Sequence, residues 1–527
     1  MEKDAMKEAE GEDEVPVASD RGWSWVALTA AVTNALLLAG YMKGIGVLFV
    51  EWQESFGVTA KDVGWTGVII GFCVSIGALM AGALASRFTC QKIIICFGMI
   101  FAASVASSSF CSDMWQLYVT NCIAGLSLGM CIQPSWTSVG YNFHKWLGVA
   151  NGIASSGVGM GIVALPPIIQ FFCNMLGWRG ALQVTGAILL LCSVCGLFIR
   201  PTEKELFLLR RRENTKNRKE EERIKRCSVV SQNGVVIIQE SACEKCIRLI
   251  NTFIENLGLK LLLESPRFFV VCLANGLVGF SYYAGLVFFQ SKVVYDNHIP
   301  KQQASYLTSA IGVGSIIGRV ASGVLIDFNV LSARFLYGMA NLFCSFFGFA
   351  NPFVSSYSML IVIAVWFGMF SGLSYSMAIY CARLYVVADK ISTSIGVVLL
   401  TEGIGVLFGV FFMGLVRDLT TNYDLSFILC GASFVTSALV IVIDSIYLEY
   451  KGRRGMDIPP EGDVDCKEVV TIKPEDGTER KRKTGIVEEN GKTNLAFQKG
   501  EENDEQCVIS IVNNLGKEPS TSGRLHR

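Results

Sequence analysis

Three ionisable residues lie where an apolar chain can least easily carry them: Lys43 in GYMKGIGV, Arg319 in SIIGRVASG and Glu402 in LLTEGIGV. Each interrupts an apolar run long enough to cross a bilayer. A charge at mid-bilayer costs roughly 2.5–3.5 kcal/mol on insertion scales, so each must face protein, water or a counter-ion rather than lipid. The planar fork of Arg319 matches the two oxygens of a carboxylate, and an ammonium of adjustable protonation such as Lys43 can sit beside it. Two cations against one acid leave a shared cavity net positive, and an anion completes it. The plain alternative for Arg319 is an arginine tied to helix carbonyls or a carboxylate for packing alone. For Glu402 it is a carboxylate bonded to neighbouring backbone or hydroxyls. Small residues around Arg319, among them Gly312, Gly314, Gly318, Ser322 and Gly323, let neighbouring helices approach closely.

The elements that must position these groups are membrane helices. The 527 residues are 51% hydrophobic and only 17% charged, and the mean hydropathy is +0.45, too apolar for an ordinary soluble protein of this length. Lys+Arg 45 balance Asp+Glu 45, so no global field points to nucleic acid. Most of the 18 cysteines are scattered singly through apolar runs, where a thiol acts as a small hydrophobe, and no disulfide framework is expected. Cys243 and Cys246 form a lone CxxC in a polar stretch, and His144, His298 and His526 lie far apart in the chain. No Ser/His arrangement, HExxH, nucleotide loop or paired metal ligands appear in or between the spans, so neither an enzyme, a metal nor a cofactor is expected.

Taken in order, residues 1–21 read as an acidic disordered tail without the features of a cleavable signal. Six apolar spans between Trp25 and Ile199 form a first bundle within 22–200, and six more between Phe268 and Tyr447 form a second within 265–448. Between them, 201–264 is a charged linker with a core RRRENTKNRKEEERIKR that is expected to be partly helical. Residues 449–527 read as a disordered polar tail. Basic residues gather in the linker, at Arg87, Lys92 and Lys145, and after the last span at Lys451, Arg453 and Arg454. By the positive-inside rule that face, with both termini, is cytoplasmic. Lys292 and Lys301, placed in an outer loop with Asp296, run mildly against it.

The second span of each set ends alike, with Gly82-Ala-Leu-Ala-Ser86-Arg87 in the first and Gly323-Val-Leu-Ile-Asp327 in the second. Joined to the six-plus-six count, this repeat points to a secondary transporter whose two bundles rock about a midplane site. Three further stretches carry a family resemblance. Asp20-Arg21-Gly22-Trp23-Ser24-Trp25 resembles the DGGWGWV opening of the monocarboxylate transporters, a branch of the major facilitator superfamily. Asn142-Phe143-His144-Lys145-Trp146-Leu147-Gly148-Val149-Ala150-Asn151-Gly152 resembles that family's YFxKRRxLAxG, and Gly177-Trp178-Arg179-Gly180 its GWRG. Trp146 and Leu147 stand where the family has two arginines, and Ser86 where it has an aspartate.

The resemblance implies an all-α polytopic fold of twelve transmembrane helices in two bundles, at the plasma membrane. It also implies roles. Lys43 falls at the family's first-helix lysine, Arg319 at the eighth-helix arginine that holds the substrate carboxylate, and Glu402 at an acidic position of the eleventh helix, a coupling candidate with Lys43. Asn151 matches an asparagine near the substrate, and Tyr375 on the tenth span is placed to line the same cavity. For both, ordinary interhelical hydrogen bonding is an equal reading. One turn before the arginine, the proton-coupled members keep an aspartate, and this chain has Ser315. Positions i and i+4 share a helix face, and serine can neither neutralise a guanidinium nor take up a proton. The expectation is therefore a carrier of a small organic carboxylate or zwitterion that is not proton-coupled. A proton-linked symporter, or a receptor or scaffold that keeps the fold without moving solute, are the rivals. Some relatives need a single-span glycoprotein escort, which the resemblance leaves open here.

Overall fold

The computed structural model describes residues 20, 22–58, 60–228, 257–328, 330–386, 390–420, 423–453, 488–489 and 492–493. The terminal tails at 1–19 and from 454, apart from those two strand pieces, and the CxxC at Cys243 and Cys246 lie outside the described residues. The first half comprises α1 (Trp23–Phe56), α2 (Ala60–Leu84), α3 (Cys90–Ser107), α4 (Met114–Asn142), α5 (147–176) and α6 (178–198). α5 and α6 would be one rod but for Gly177, whose φ of 69° and ψ of 169° break the helix in a conformation that suits glycine. The linker supplies α7 (Glu203–Ser228). The second half comprises α8 (Pro266–Tyr295), α9 (Lys301–Asp327), α10 (Ala333–Ala350), α11 (Tyr357–Leu384), α12 (Ile391–Thr420) and α13 (Asp424–Arg453). In the separate C-terminal unit, Glu488–Glu489 pairs antiparallel with Lys492–Thr493.

Among the described residues, ten stretches are long and apolar enough to cross a membrane, and one of them, Leu147–Phe198, contains the two crossings that Gly177 divides. α10 completes the twelve. Its last turn tightens into a 3-10 turn at Asn351–Phe353, which lengthens its apolar rod. Large apolar side chains remain exposed around the bundle, Phe171, Phe353, Phe411 and Ile443 among them. In a lipid-embedded chain that is the surface expected, because only helices satisfy their backbone internally there. The protein is a multi-pass membrane protein.

α1 packs on α5 and α2 on α4, and the second half repeats the scheme with α9 on α11 and α8 on α12. The halves meet through α5 with α9 and through α2 with α12. We call the face where α1 begins and α13 ends the near face, and the opposite one the far face.

The sequence stretches that looked unusual fasten these rods. Asp20 accepts hydrogen bonds from the backbone N–H groups of His144 and Lys145, both at 2.8 Å, and Trp25 meets Phe143 edge-on at 5.3 Å between centroids. The opening stretch and the stretch before α5 are thus one near-face assembly. At the far face, Trp178 Nε1 donates to Ser55 Oγ at 2.7 Å, tying the α5–α6 corner to α1.

One expectation needs correction. Lys292 is not in an outer loop: it lies in the last turn of α8, 3% exposed, and pairs with Asp424 at 2.9 Å while donating to Asn351 O at 2.7 Å. The ion pair removes the cost that made it look anomalous. The linker also does more than connect. The start of α7 docks on the near face, where Leu208 packs with Cys90 and Tyr141 and Glu205 Oε1 accepts from Cys90 N at 2.6 Å. Thr89, in the N-cap position of α3, makes no side-chain cap of its own, so Glu205 serves as the cap from another helix.

Candidate functional site

A cavity of about 130 Å³ lies between the halves and is lined from both. That is room for several waters or a small organic solute. α1 contributes Lys43, α9 Arg319, α11 Tyr375, α12 Glu402 and Gly403, and α2 Ser75, with Tyr282 and Tyr283 from α8. The rest of the wall is apolar, from residues such as Met42, Leu128, Ile132, Val158 and Leu399. The register explains the convergence: Leu399, Glu402, Gly403 and Val406 form an i, i+3, i+4, i+7 stripe of α12.

Arg319 is 2% exposed. Its Nε donates to Ser315 Oγ at 3.0 Å, one turn earlier on the same face, and its guanidinium stacks 4.6 Å from the centre of the Tyr375 ring. Nη1 has no hydrogen-bond partner. Serine therefore orients the guanidinium without discharging it. Glu402 and the Tyr282 and Tyr375 hydroxyls act on Arg319 electrostatically across the cavity. Lys43 stands 4.2 Å from the centre of the Tyr283 ring, a cation–π contact that spans the two halves. Asn275 on α8 donates to Val398 O at 3.0 Å, one turn before Glu402 on α12. The arrangement is a small apolar chamber with a fixed fork at one wall, an ammonium at another and a carboxyl opposite.

Four of the five residues singled out from sequence come together here: Lys43, Arg319, Tyr375 and Glu402. Asn151 does not. It is buried on α5 and donates to Ser376 O on α11 at 3.2 Å, beside a Ser155–Ser376 hydroxyl contact at 2.8 Å. Its amide is used up in holding the halves together. Sequence reasoning passed over Tyr282 and Tyr283. Two adjacent hydroxyl-bearing rings in mid-span, away from the interfacial belt where tyrosines collect, were the available signal. Among the described residues, no group of three His, Cys, Asp or Glu side chains could hold a metal.

Contacts between the halves lie on the near-face side of the chamber. Asp327 accepts from the N–H groups of Gly148 and Val149 at 2.8 and 2.7 Å, Gln133 Nε2 donates to Ser392 O at 2.6 Å, and Arg383 Nη2 donates to Trp136 O at 2.7 Å. Glycine at 152 is required for this seam, since a Cβ there would collide with the Arg319 carbonyl.

The profile of the Major Facilitator Superfamily matches residues 29–293, just over half of the chain. The chain belongs to the Major Facilitator Superfamily. Among curated proteins it is 27% identical to mouse (Mus musculus) monocarboxylate transporter 4 over 451 residues, covering 84% of this chain and 88% of that one. It is 26% identical to rat (Rattus norvegicus) monocarboxylate transporter 2 over 431 residues, covering 81% and 84%. A crystal structure of the E. coli fucose:proton symporter matches with a TM-score of 0.56 at 12% identity, covering 80% of this chain and 99% of that one, which shows the fold alone. The resemblance read from the short motifs thus extends over most of the chain. This superfamily member is similar to the monocarboxylate transporters, and these relatives are transporters and not enzymes.

Proposed function

We propose that this transporter moves a small carboxylate-bearing organic anion across the plasma membrane by alternating access, with the carboxylate held on Arg319. The observation that carries this reading is the buried guanidinium with an unpartnered Nη1 in a chamber between the halves. A buried donor left unmade is costly, and a bidentate carboxylate is the ligand whose geometry supplies what is missing. Lys43 adds a second positive charge, so a monoanion balances the two cations and Glu402. The apolar and tyrosine-rich wall suits an organic body over a hydrated inorganic ion. Lys43 and Glu402 are the candidates for coupling, and Tyr375 orders the arginine.

The near-face contacts between the halves support a chamber reached from the far face, with transport requiring those contacts to part. Basic residues at Arg87, Lys92, Lys145 and Arg210–Arg212 support a cytoplasmic near face with both termini on that side.

Ser315 supports facilitated diffusion over proton symport, because the position one turn before the guanidinium on its own helix holds a hydroxyl and not an acid that could take up a proton. Glu402 favours the second reading, a proton-linked cycle, since it is a titratable group facing the same chamber. Uptake of radiolabelled carboxylates and amino acids at two external pH values, in cells expressing this chain, tests substrate class. Arg319→Ala or Lys43→Ala should abolish that uptake with surface expression unchanged, and a non-transporting scaffold would be indifferent to both. Repeating the assay with and without a co-expressed single-span glycoprotein tests for an escort. Flux in sealed vesicles under an inward proton gradient decides coupling. Strong acceleration that survives Glu402→Gln refutes the uncoupled reading.

A further inference from the structure

Two turns beyond Tyr375 along α11, about 12 Å nearer the near face at 1.5 Å per residue, lies a second buried guanidinium that the chamber does not use. Arg383 is 6% exposed. Its Nη2 donates to Trp136 O across the boundary between the halves, whereas Nε and Nη1 have no partner. The titratable neighbours acting on it are Tyr380 and Tyr141.

α4 connects this group to the chamber. Leu128 and Ile132 line the chamber, and Trp136 and Gly140 continue the same i, i+4 stripe toward the near face. The Trp136 ring lies edge-on to Tyr375 at 5.8 Å between centroids, and a Cβ on Gly140 would stand 3.2 Å from Arg383 Cζ. One aromatic pair therefore separates two arginines. Arg319 stacks on the outer ring of that pair, and Arg383 is held by the backbone of the inner one.

We propose that Arg383 is a second subsite for the substrate carboxylate, used when the halves part at the near face. Parting α4 from α11 breaks the single bond to Trp136 O and presents the whole fork to the opening vestibule, on the route that an anion leaving Arg319 must take. Its two unpartnered donors are what a carboxylate satisfies. This rests on the carboxylate reading of the chamber. The plain alternative is a latch, in which Arg383 only holds α11 to α4.

Thermal unfolding of the detergent-solubilised full chain, titrated with benzoate and with uncharged benzamide as control, separates them, because both faces are open to ligand. Benzoate alone should stabilise the parent protein. Arg319→Gln should weaken the benzoate midpoint about tenfold, the usual cost of one charge-assisted hydrogen bond, and leave a smaller saturable shift. Adding Arg383→Gln should remove that residue of binding, and Arg383→Lys should retain most of it. If Arg383→Gln does not fold, Gly140→Val in the Arg319→Gln background crowds the same guanidinium and should have the same effect. Loss of all benzoate response in Arg319→Gln alone, or a shift that persists in the double variant, overturns the subsite and leaves the chamber reading intact. No response in the parent protein overturns both.

Discussion

The two seams between the halves are related by the chain's own repeat and are fastened by different chemistry. At the α5–α9 seam, Gly323 lies against Gly148 and Val149, and Asp327, four residues on, accepts from both of their N–H groups. At the α2–α12 seam, Gly82 lies against Ser392 and Thr393 in the same way, but the residue four on is Ser86. Its hydroxyl turns back to its own Ala83 O at 2.6 Å and reaches nothing across the seam. Gln133 from α4 binds Ser392 instead. A carboxylate on two helix N-terminal N–H groups is a charged clamp, and an amide on a carbonyl is a neutral one. Each seam also carries one ionisable group at chamber depth, Arg319 on α9 and Glu402 on α12. The stronger clamp and the buried cation share a helix, so any motion of α9 that parts the Asp327 contacts carries Arg319 with it.

The largest effect should come from removing the charge on that helix. Arg319→Gln should lower carboxylate uptake at least roughly tenfold, from the loss of a charge-assisted hydrogen bond worth about 1.5–3 kcal/mol. Glu402→Gln should change uptake several-fold at most and act mainly on its pH dependence. Uptake at two pH values, normalised to surface protein, checks both, and equal losses would erase the contrast between the seams. Next in size is Ser315→Asp. It places a carboxylate where Ser315 Oγ now meets Arg319 Nε, so flux should become strongly dependent on an inward proton gradient, in sealed vesicles that show little dependence beforehand.

How far this contrast was legible in the chain depends on the range of the contacts involved. Lys43, Arg319 and Glu402 stood out because a charge in an apolar run has few uses, and the chamber gathers all three. The twelve crossings followed from apolar length, and the repeat from Gly82 and Gly323. Asn151 was left between cavity and seam because a polar residue on a small-residue helix serves either, and its amide donates to Ser376 O. Lys292 misled because α8 runs past its apolar stretch to a partner, Asp424, that only the folded chain brings near. Tyr282 and Tyr283 needed the knowledge of which face of α8 turns inward, and the hydropathy of an all-buried span does not give it.

The clamps themselves should give smaller effects, of unequal size. Asp327→Asn should cost about 0.5–2 kcal/mol of near-face closure, the range for loss of a helix cap. Gln133→Ala should cost less, as a neutral bond typically contributes about 1 kcal/mol. Maleimide labelling of a cysteine replacing Val149, which lies against Gly323 of α9 and already carries a side chain of similar size, reports closure, and faster labelling in Asp327→Asn than in Gln133→Ala is expected. Ser86→Asp should make the seams alike, slowing labelling and lowering turnover.

The smallest effect lies outside the membrane, where α7 caps α3. Burial pushes the Glu205 carboxyl above the usual range, against the N–H groups of Cys90 and Thr202 that pull it down. A carboxyl raised in the docked state binds its proton more tightly there than when α7 is released. Docking is therefore strongest at low pH and weakens as pH rises from the ordinary carboxylate value through the raised one, then stays level. Glu205→Gln keeps an acceptor for Cys90 N and has no proton to lose, so it should flatten that profile. Amide exchange across α7 at a series of pH values measures it. A parent protein whose α7 protection is as flat as the variant's would show that Glu205 is a passive cap, leaving Leu208 and its neighbours to hold the helix.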